Sequence, residues 1–152
     1  RRQSLSRILY LDWIYNKLIG KPGVICEFGV QWGGVLSILT NLRGVYEPFN
    51  HQRKIYGFDT FEGFVDVSEE DGEGHRKGDY STDIGYEKEL SEILNNLESS
   101  SPLSHIQKTS LVKGDASETI KIWLQENPFV AIGLAIFDMD VYKPTKTLDI
   151  GQ

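Results

Sequence analysis

VICEFGVQWGGVLSIL, residues 24–39, opens with a short apolar run from Val24 to Phe28 that reads as a buried strand. A glycine-rich turn, Gly29 to Gly34, follows it. A helical pattern then starts at Val35, with Leu36 and Leu39 on its apolar side. Strand, glycine turn and helix together open a nucleotide-binding α/β unit. Gly29 permits a tight turn and a close ligand approach, and Gly33 sits where the helix amides begin.

The spacing bears on which cofactor is held. A dinucleotide fold uses G-x-G-x-x-G to seat a pyrophosphate. This chain instead has E-x-G-x-x-x-G, from Glu27 through Gly29 to Gly33. A carboxylate beside the turn suits a cationic cofactor better than an anionic one. S-adenosylmethionine carries an ammonium and a sulfonium and no phosphate. A bare glycine turn without a ligand is the competing reading of this stretch taken alone.

Working outward, Leu5 to Ile19 reads as a helix, with Leu5, Ile8, Leu9, Ile14 and Leu18 recurring at helical intervals. Ser4 is a candidate cap, and Gly20 and Pro22 end the helix. Tyr10 and Trp13 are expected to pack on the core, with lining a cofactor rim as the alternative. Lys54 to Phe58 reads as a second strand ending in Asp59, placed to accept hydrogen bonds from both ribose hydroxyls of an adenosine. Asp59 starting a turn is the plainer alternative.

Phe64 to Tyr86 is polar, acidic and glycine-rich, and too long for an ordinary connection. It is expected to be a lid over the catalytic face, with disorder as the alternative. His75, Arg76, Asp79 and Tyr80 are its chemically useful members.

Glu87 to Leu97 is a helical stretch, Leu111 to Gly114 a third strand, and Ala116 to Leu124 a further helix. Asp115 between the last two can bond an adenine amino group, cap the helix, or do both. Val130 to Phe137 is a fourth strand whose continuous apolar run predicts burial on both faces. It leads into Asp138 and Asp140, alternate carboxylates whose parallel directions suit a hard cation such as Mg²⁺.

Length and composition narrow the class. The 152 residues fit one domain, taken as residues 1–152 with 64–86 as a lid-like insertion. A net charge of −6 argues against binding a phosphate backbone, so no nucleic-acid partner is expected. No apolar run reaches membrane-spanning length and RRQSLSR lacks the features of a signal peptide, so a cytoplasmic protein without a membrane partner is expected. Cys26 is the single cysteine, which rules out an intrachain disulfide, and is read as a small buried hydrophobe. Homo-oligomerisation is left open.

Four motifs, EFGVQWGG, YGFDTFEGF, LVKGDASET and FDMDVYKPT, stand in order between Glu27 and Thr145. Together they resemble the macrocin O-methyltransferase family. The resemblance implies a Rossmann-like methyltransferase fold, a mostly parallel sheet with helices on both faces. It implies S-adenosylmethionine and Mg²⁺ as cofactors and a hydroxyl on a sugar-bearing natural product, or a similar small molecule, as acceptor.

By the same resemblance Glu27, Gly29, Gly33 and Ser37 line the methionine end of the cofactor. Asp59, Thr60 and Phe61 hold the ribose region, and Asp115 and Ser117 the adenine end. Asp138, with Asp140, is implied as a metal ligand, and Asp138 also as a proton acceptor. His75 in the lid is a candidate base. The paired-aspartate strand that such enzymes carry further on does not follow Ile150, so the C-terminal strands of the sheet are missing from the expected fold. The chain is therefore expected to be the cofactor-binding part of a longer enzyme. Two other functions compete: a non-catalytic cofactor-binding or interaction module, and a nicotinamide-dependent oxidoreductase on the same fold.

Overall fold

A computed structural model describes residues 2–63 and 81–139. His75, Arg76, Asp79, Tyr80 and Asp140, and the stretch 64–80 of the expected lid, lie outside the described residues. The elements run α1 (Arg2–Leu18), β1 (Val24–Phe28), α2 (Gly34–Tyr46), β2 (Ile55–Asp59), α3 (Tyr86–Ser99), β3 (Thr109–Lys113), α4 (Ala116–Glu126) and β4 (Ile132–Phe137).

The strands form one sheet in the order β3-β2-β1-β4, and every pairing is parallel. The expected α/β architecture, a parallel sheet with helices on both faces, is what the chain adopts. β1 alternates as a doubly covered strand should. Ile25 joins α1, α2 and α3 in one core, with Leu11, Tyr15, Leu36, Leu39, Leu90 and Leu94. Val24, Cys26 and Phe28 join α4 in the other, with Phe58, Ile120 and Trp123.

The chain steps outward from β1 to β2 to β3, then returns to place β4 on β1's other side. The strand order therefore reverses between β1 and β4. The crevice at the carboxyl ends of those two strands is where open α/β sheets bind ligands.

Two expectations about packing are corrected. β4 was expected to be buried on both faces, but its residues alternate between half-buried and exposed. Leu134 and Ile136 pack on the first core, whereas Gly133, Ala135 and Phe137 are exposed. The reason is position: β4 is an edge of the described sheet, and α4 covers only part of that face. A run of apolar residues reports the capacity for burial, not the presence of a cover.

α1 also turns differently from its expected orientation. Leu5, Ile8, Leu9, Tyr10 and Trp13 are all exposed, and Leu11, Tyr15 and Leu18 are the buried residues. Apolar side chains circle this helix, so periodicity alone could not select a face. Polar anchors select it. The Tyr15 hydroxyl donates to Glu47 at 2.8 Å, and the buried Arg53 donates to the carbonyls of Leu18 (3.2 Å) and Lys21 (2.6 Å). Tyr10 and Trp13 stack on each other outside, with ring centroids 6.2 Å apart. Ser4 lies inside the helix and so does not cap it. No helix among the described residues is long and apolar enough to cross a membrane.

Candidate cofactor site at the strand ends

β1 ends in Glu27 and Phe28, and the chain then turns sharply at Gly29 with φ +89°. The Gly29 amide donates to the Phe58 carbonyl at 3.0 Å, and the Asp138 amide donates to the Phe28 carbonyl at 2.8 Å. A Cβ built on Gly29 would lie 2.4 Å from the Asp138 carbonyl oxygen. Gly29 and Asp138 are thus pressed together at the reversal point of the sheet. Gly33, with φ +73°, is the N-terminal cap of α2 and brings no side chain to it. No side chain of Gly33 caps the positive end of the α2 dipole, and the Leu36 amide in the first turn is turned to Glu27. The Ser37 hydroxyl donates to the Gly33 carbonyl at 2.8 Å and steadies this turn.

Glu27 is the unusual group. It is 1% exposed, and its Oε2 has no hydrogen-bond partner among the described residues. Burial pushes its carboxyl well above the ordinary glutamate range, and the negative charges of Asp138 and Asp59 push the same way. Arg7 and the Leu36 backbone amide oppose that shift. A buried acceptor without a donor is costly, and such a group calls for a ligand, a water or an ion. Cys26 beside it is also buried, and desolvation pushes its thiol up to about 12, so it stays an inert, uncharged side chain as read from the sequence.

Asp59 does more than was expected of it. Its Oδ2 accepts from the Gln31 amide at 2.8 Å and its Oδ1 from the Phe61 amide at 2.7 Å. Gln31 and Phe61 have φ of +48° and +57°, in the left-handed region that such residues seldom adopt. One carboxylate thus ties the glycine turn to the loop after β2 and holds both in strained conformations. The turn-starting alternative is therefore present, and the remaining lone pairs are still available to a ribose. Asp59→Ala is expected to lower stability by about 1–3 kcal/mol and to weaken adenosine binding by about 1.5–3 kcal/mol. Thermal melting and titration with S-adenosylhomocysteine measure the two effects, and an unchanged melting curve would contradict the first.

The other expected residues are placed as follows. The Thr60 hydroxyl donates to the Gly63 carbonyl at 2.9 Å and accepts from the Glu62 amide at 3.2 Å, closing the loop after β2. The Phe61 ring is 3% exposed and packs in the core, so only its backbone faces the loop. Asp115 caps α4, its Oδ1 accepting from the Ser117 amide at 2.8 Å and hydroxyl at 2.6 Å. Glu27, Gly29, Asp59 and Asp138 are the residues brought to the crevice.

Two residues there escaped the sequence reading. Trp32, about half exposed in the glycine turn, packs edge-on to Tyr86 with centroids 4.9 Å apart. Arg7 reaches from α1 to form an ion pair with Asp138. A polar position in a helix gives no local sign of a partner 131 residues away.

No family model matches the chain, and no curated protein matches it significantly. Solved structures do match. The crystal structure of CalS11, a calicheamicin methyltransferase, superposes with a TM-score of 0.93 at 44% identity. The chain carries a methyltransferase fold. That match covers 97% of this chain and 59% of CalS11. The apo structure of CalS11, there described as TDP-rhamnose 3′-O-methyltransferase and an enzyme in calicheamicin biosynthesis, superposes with a TM-score of 0.81 at 41% identity. It covers 97% of this chain and 57% of that one. The chain therefore spans little more than half the length of CalS11.

Proposed function

We propose that this chain is the cofactor-binding part of an S-adenosylmethionine-dependent O-methyltransferase. Its acceptor is a hydroxyl on a sugar, either nucleotide-linked or carried by a natural product. The observation that carries the cofactor assignment is the buried Glu27 carboxyl, with its unpartnered Oε2, at the N-terminus of α2, which no Gly33 side chain caps. A helix N-terminus favours a carboxylate and a buried glutamate favours an ammonium. The pair suits the zwitterionic amino-acid end of S-adenosylmethionine. A pyrophosphate would instead meet Glu27, Asp59 and Asp138 together, which speaks against a nicotinamide dinucleotide.

The likeness to CalS11 supports a sugar acceptor, and the four motifs support the finer placement among macrocin-type enzymes. When bound, S-adenosylmethionine supplies an electrophilic methyl group on sulfur. Glu27 and the α2 amides fix one end of the cofactor, and Asp59 the ribose. Asp138, half exposed at the mouth, takes the proton of the acceptor hydroxyl. His75, the other candidate base, lies outside the described residues.

Magnesium fits the described residues less well. No group of three His, Cys, Asp or Glu among them is placed to hold a metal ion, Asp138 is already paired with Arg7, and Asp140 lies outside them. The test is to incubate the full-length protein with S-adenosylmethionine and a panel of TDP-deoxysugars, then to look for a methylated sugar by mass. Transfer to a sugar hydroxyl is expected. Cofactor binding without transfer to any acceptor would favour the non-catalytic module.

A further inference from the structure

Trp32 is the only aromatic residue of the glycine turn, and it is about half exposed. A half-exposed indole gains little from burial, so other contacts must seat it. The Tyr86 ring packs edge-on against it at 4.9 Å, and the Tyr86 hydroxyl donates to the Trp32 carbonyl at 3.2 Å. The backbone on either side is left-handed, with φ +48° at Gln31 and +73° at Gly33. Asp59 holds the Gln31 amide at 2.8 Å, and a Cβ on Gly33 would strike the Leu90 side chain. The end of β2 and helix α3 thus fix the turn from two sides and hold the indole at the crevice.

Its neighbours along the chain give it a place on the cofactor. In the function proposed above, Glu27 at the N-terminus of α2 takes the amino-acid end of S-adenosylmethionine, and Asp59 takes the ribose. Trp32 follows Gln31, which is tied to Asp59, and precedes Gly33, the cap of α2. It therefore stands between the groups assigned to the two ends. The sulfonium is bonded between those same two ends. The face of an indole ring carries negative potential and attracts a cation, whereas a neutral thioether gains only packing from it.

We propose that Trp32 is a specificity-determining residue whose ring favours the sulfonium of S-adenosylmethionine over the neutral thioether of S-adenosylhomocysteine. The inference rests on the function proposed above. Its consequence is a turn that holds the methyl donor more tightly than the demethylated product, which eases product release. The carboxylates of the crevice also favour a cation. The part of the preference that depends on Trp32 is therefore what must be measured.

The test is calorimetric titration of the full-length protein with S-adenosylmethionine, S-adenosylhomocysteine and sinefungin. Sinefungin carries a protonated amine in place of the sulfonium. The proteins compared are wild type, Trp32→Phe and Trp32→Leu. Trp32→Leu should weaken S-adenosylmethionine and sinefungin by roughly fivefold or more, and S-adenosylhomocysteine by about twofold or less. Trp32→Phe should fall between, because a phenyl ring attracts cations less than an indole. Retained affinity for S-adenosylhomocysteine shows that the turn is intact in the variants.

An equal loss for all three ligands overturns the proposal and leaves Trp32 an apolar wall. Unchanged affinities overturn it as well. If Trp32→Leu does not fold, the same comparison on Trp32→Phe decides, and a loss equal across the ligands, or none, again overturns it. A wild type that binds none of the three removes the proposed function and this inference together. A wild type that binds them with no preference traceable to Trp32 removes this inference alone.

Discussion

Glu27→Gln should stabilise the ligand-free protein at neutral pH and sharply weaken its hold on S-adenosylmethionine. The two effects share one cause. Glu27 is buried, and burial followed by the charge of Asp138 lifts its carboxyl well above the ordinary range. In the unfolded chain the same group ionises at about pH 4.3. Above that pH the folded state binds more protons at this site than the unfolded state. Stability must therefore fall as pH rises, through the window up to the raised folded value. Glutamine has nearly the same shape and never ionises, so this part of the pH dependence should disappear. Urea melts of both proteins across the acid-to-neutral range would show it, and parallel profiles would contradict it. Binding moves the opposite way, because the lost charge is the partner of the cofactor ammonium. A loss of about 2–4 kcal/mol, roughly 30- to 700-fold, is expected.

Gly29→Ala should be among the most damaging single substitutions in the chain. The residue has φ +89°, and an added Cβ would meet the Asp138 carbonyl oxygen at 2.4 Å and carbon at 2.8 Å. Both contacts are backbone, so no side chain can swing aside. Left-handed strain and forced overpacking together should cost about 2–5 kcal/mol. The damage should also reach the site, since relief requires the ends of β1 and β4 to part. Gly34 is the matched control. A Cβ there meets nothing within 4 Å, and Gly34→Ala in the first turn of α2 should be neutral or slightly stabilising. Denaturant midpoints at constant slope measure the difference. A Gly29→Ala protein as stable as Gly34→Ala would show that the strand ends are not packed as described.

β1 was legible from the sequence at its true limits, because a short apolar run ending in a glycine turn has few other readings. The strand-turn-helix unit followed from it, whereas the reversal at β4 appears only in the sheet order. Local signals also placed α2, α3, β3 and α4 to within a few residues. What the sequence hid was orientation. Tyr10 and Trp13 face outward because Arg53 and Glu47, in loops that look merely polar, fix the roll of α1. At the proposed site, Glu27 and Asp59 were singled out by their spacing from glycines and strand ends. Yet the hold of Asp59 on two left-handed backbones, and of Arg7 on Asp138, depends on chain crossings that no local pattern encodes.

The crevice at Glu27, Gly29 and Asp59 is proposed to bind a cationic adenosyl cofactor. Calorimetric titration of the full-length protein with S-adenosylmethionine and with NAD, repeated on Glu27→Gln, tests it most directly. Saturable binding of S-adenosylmethionine, none of NAD, and a large loss in the variant are expected. NAD binding, or S-adenosylmethionine binding indifferent to Glu27→Gln, would contradict it.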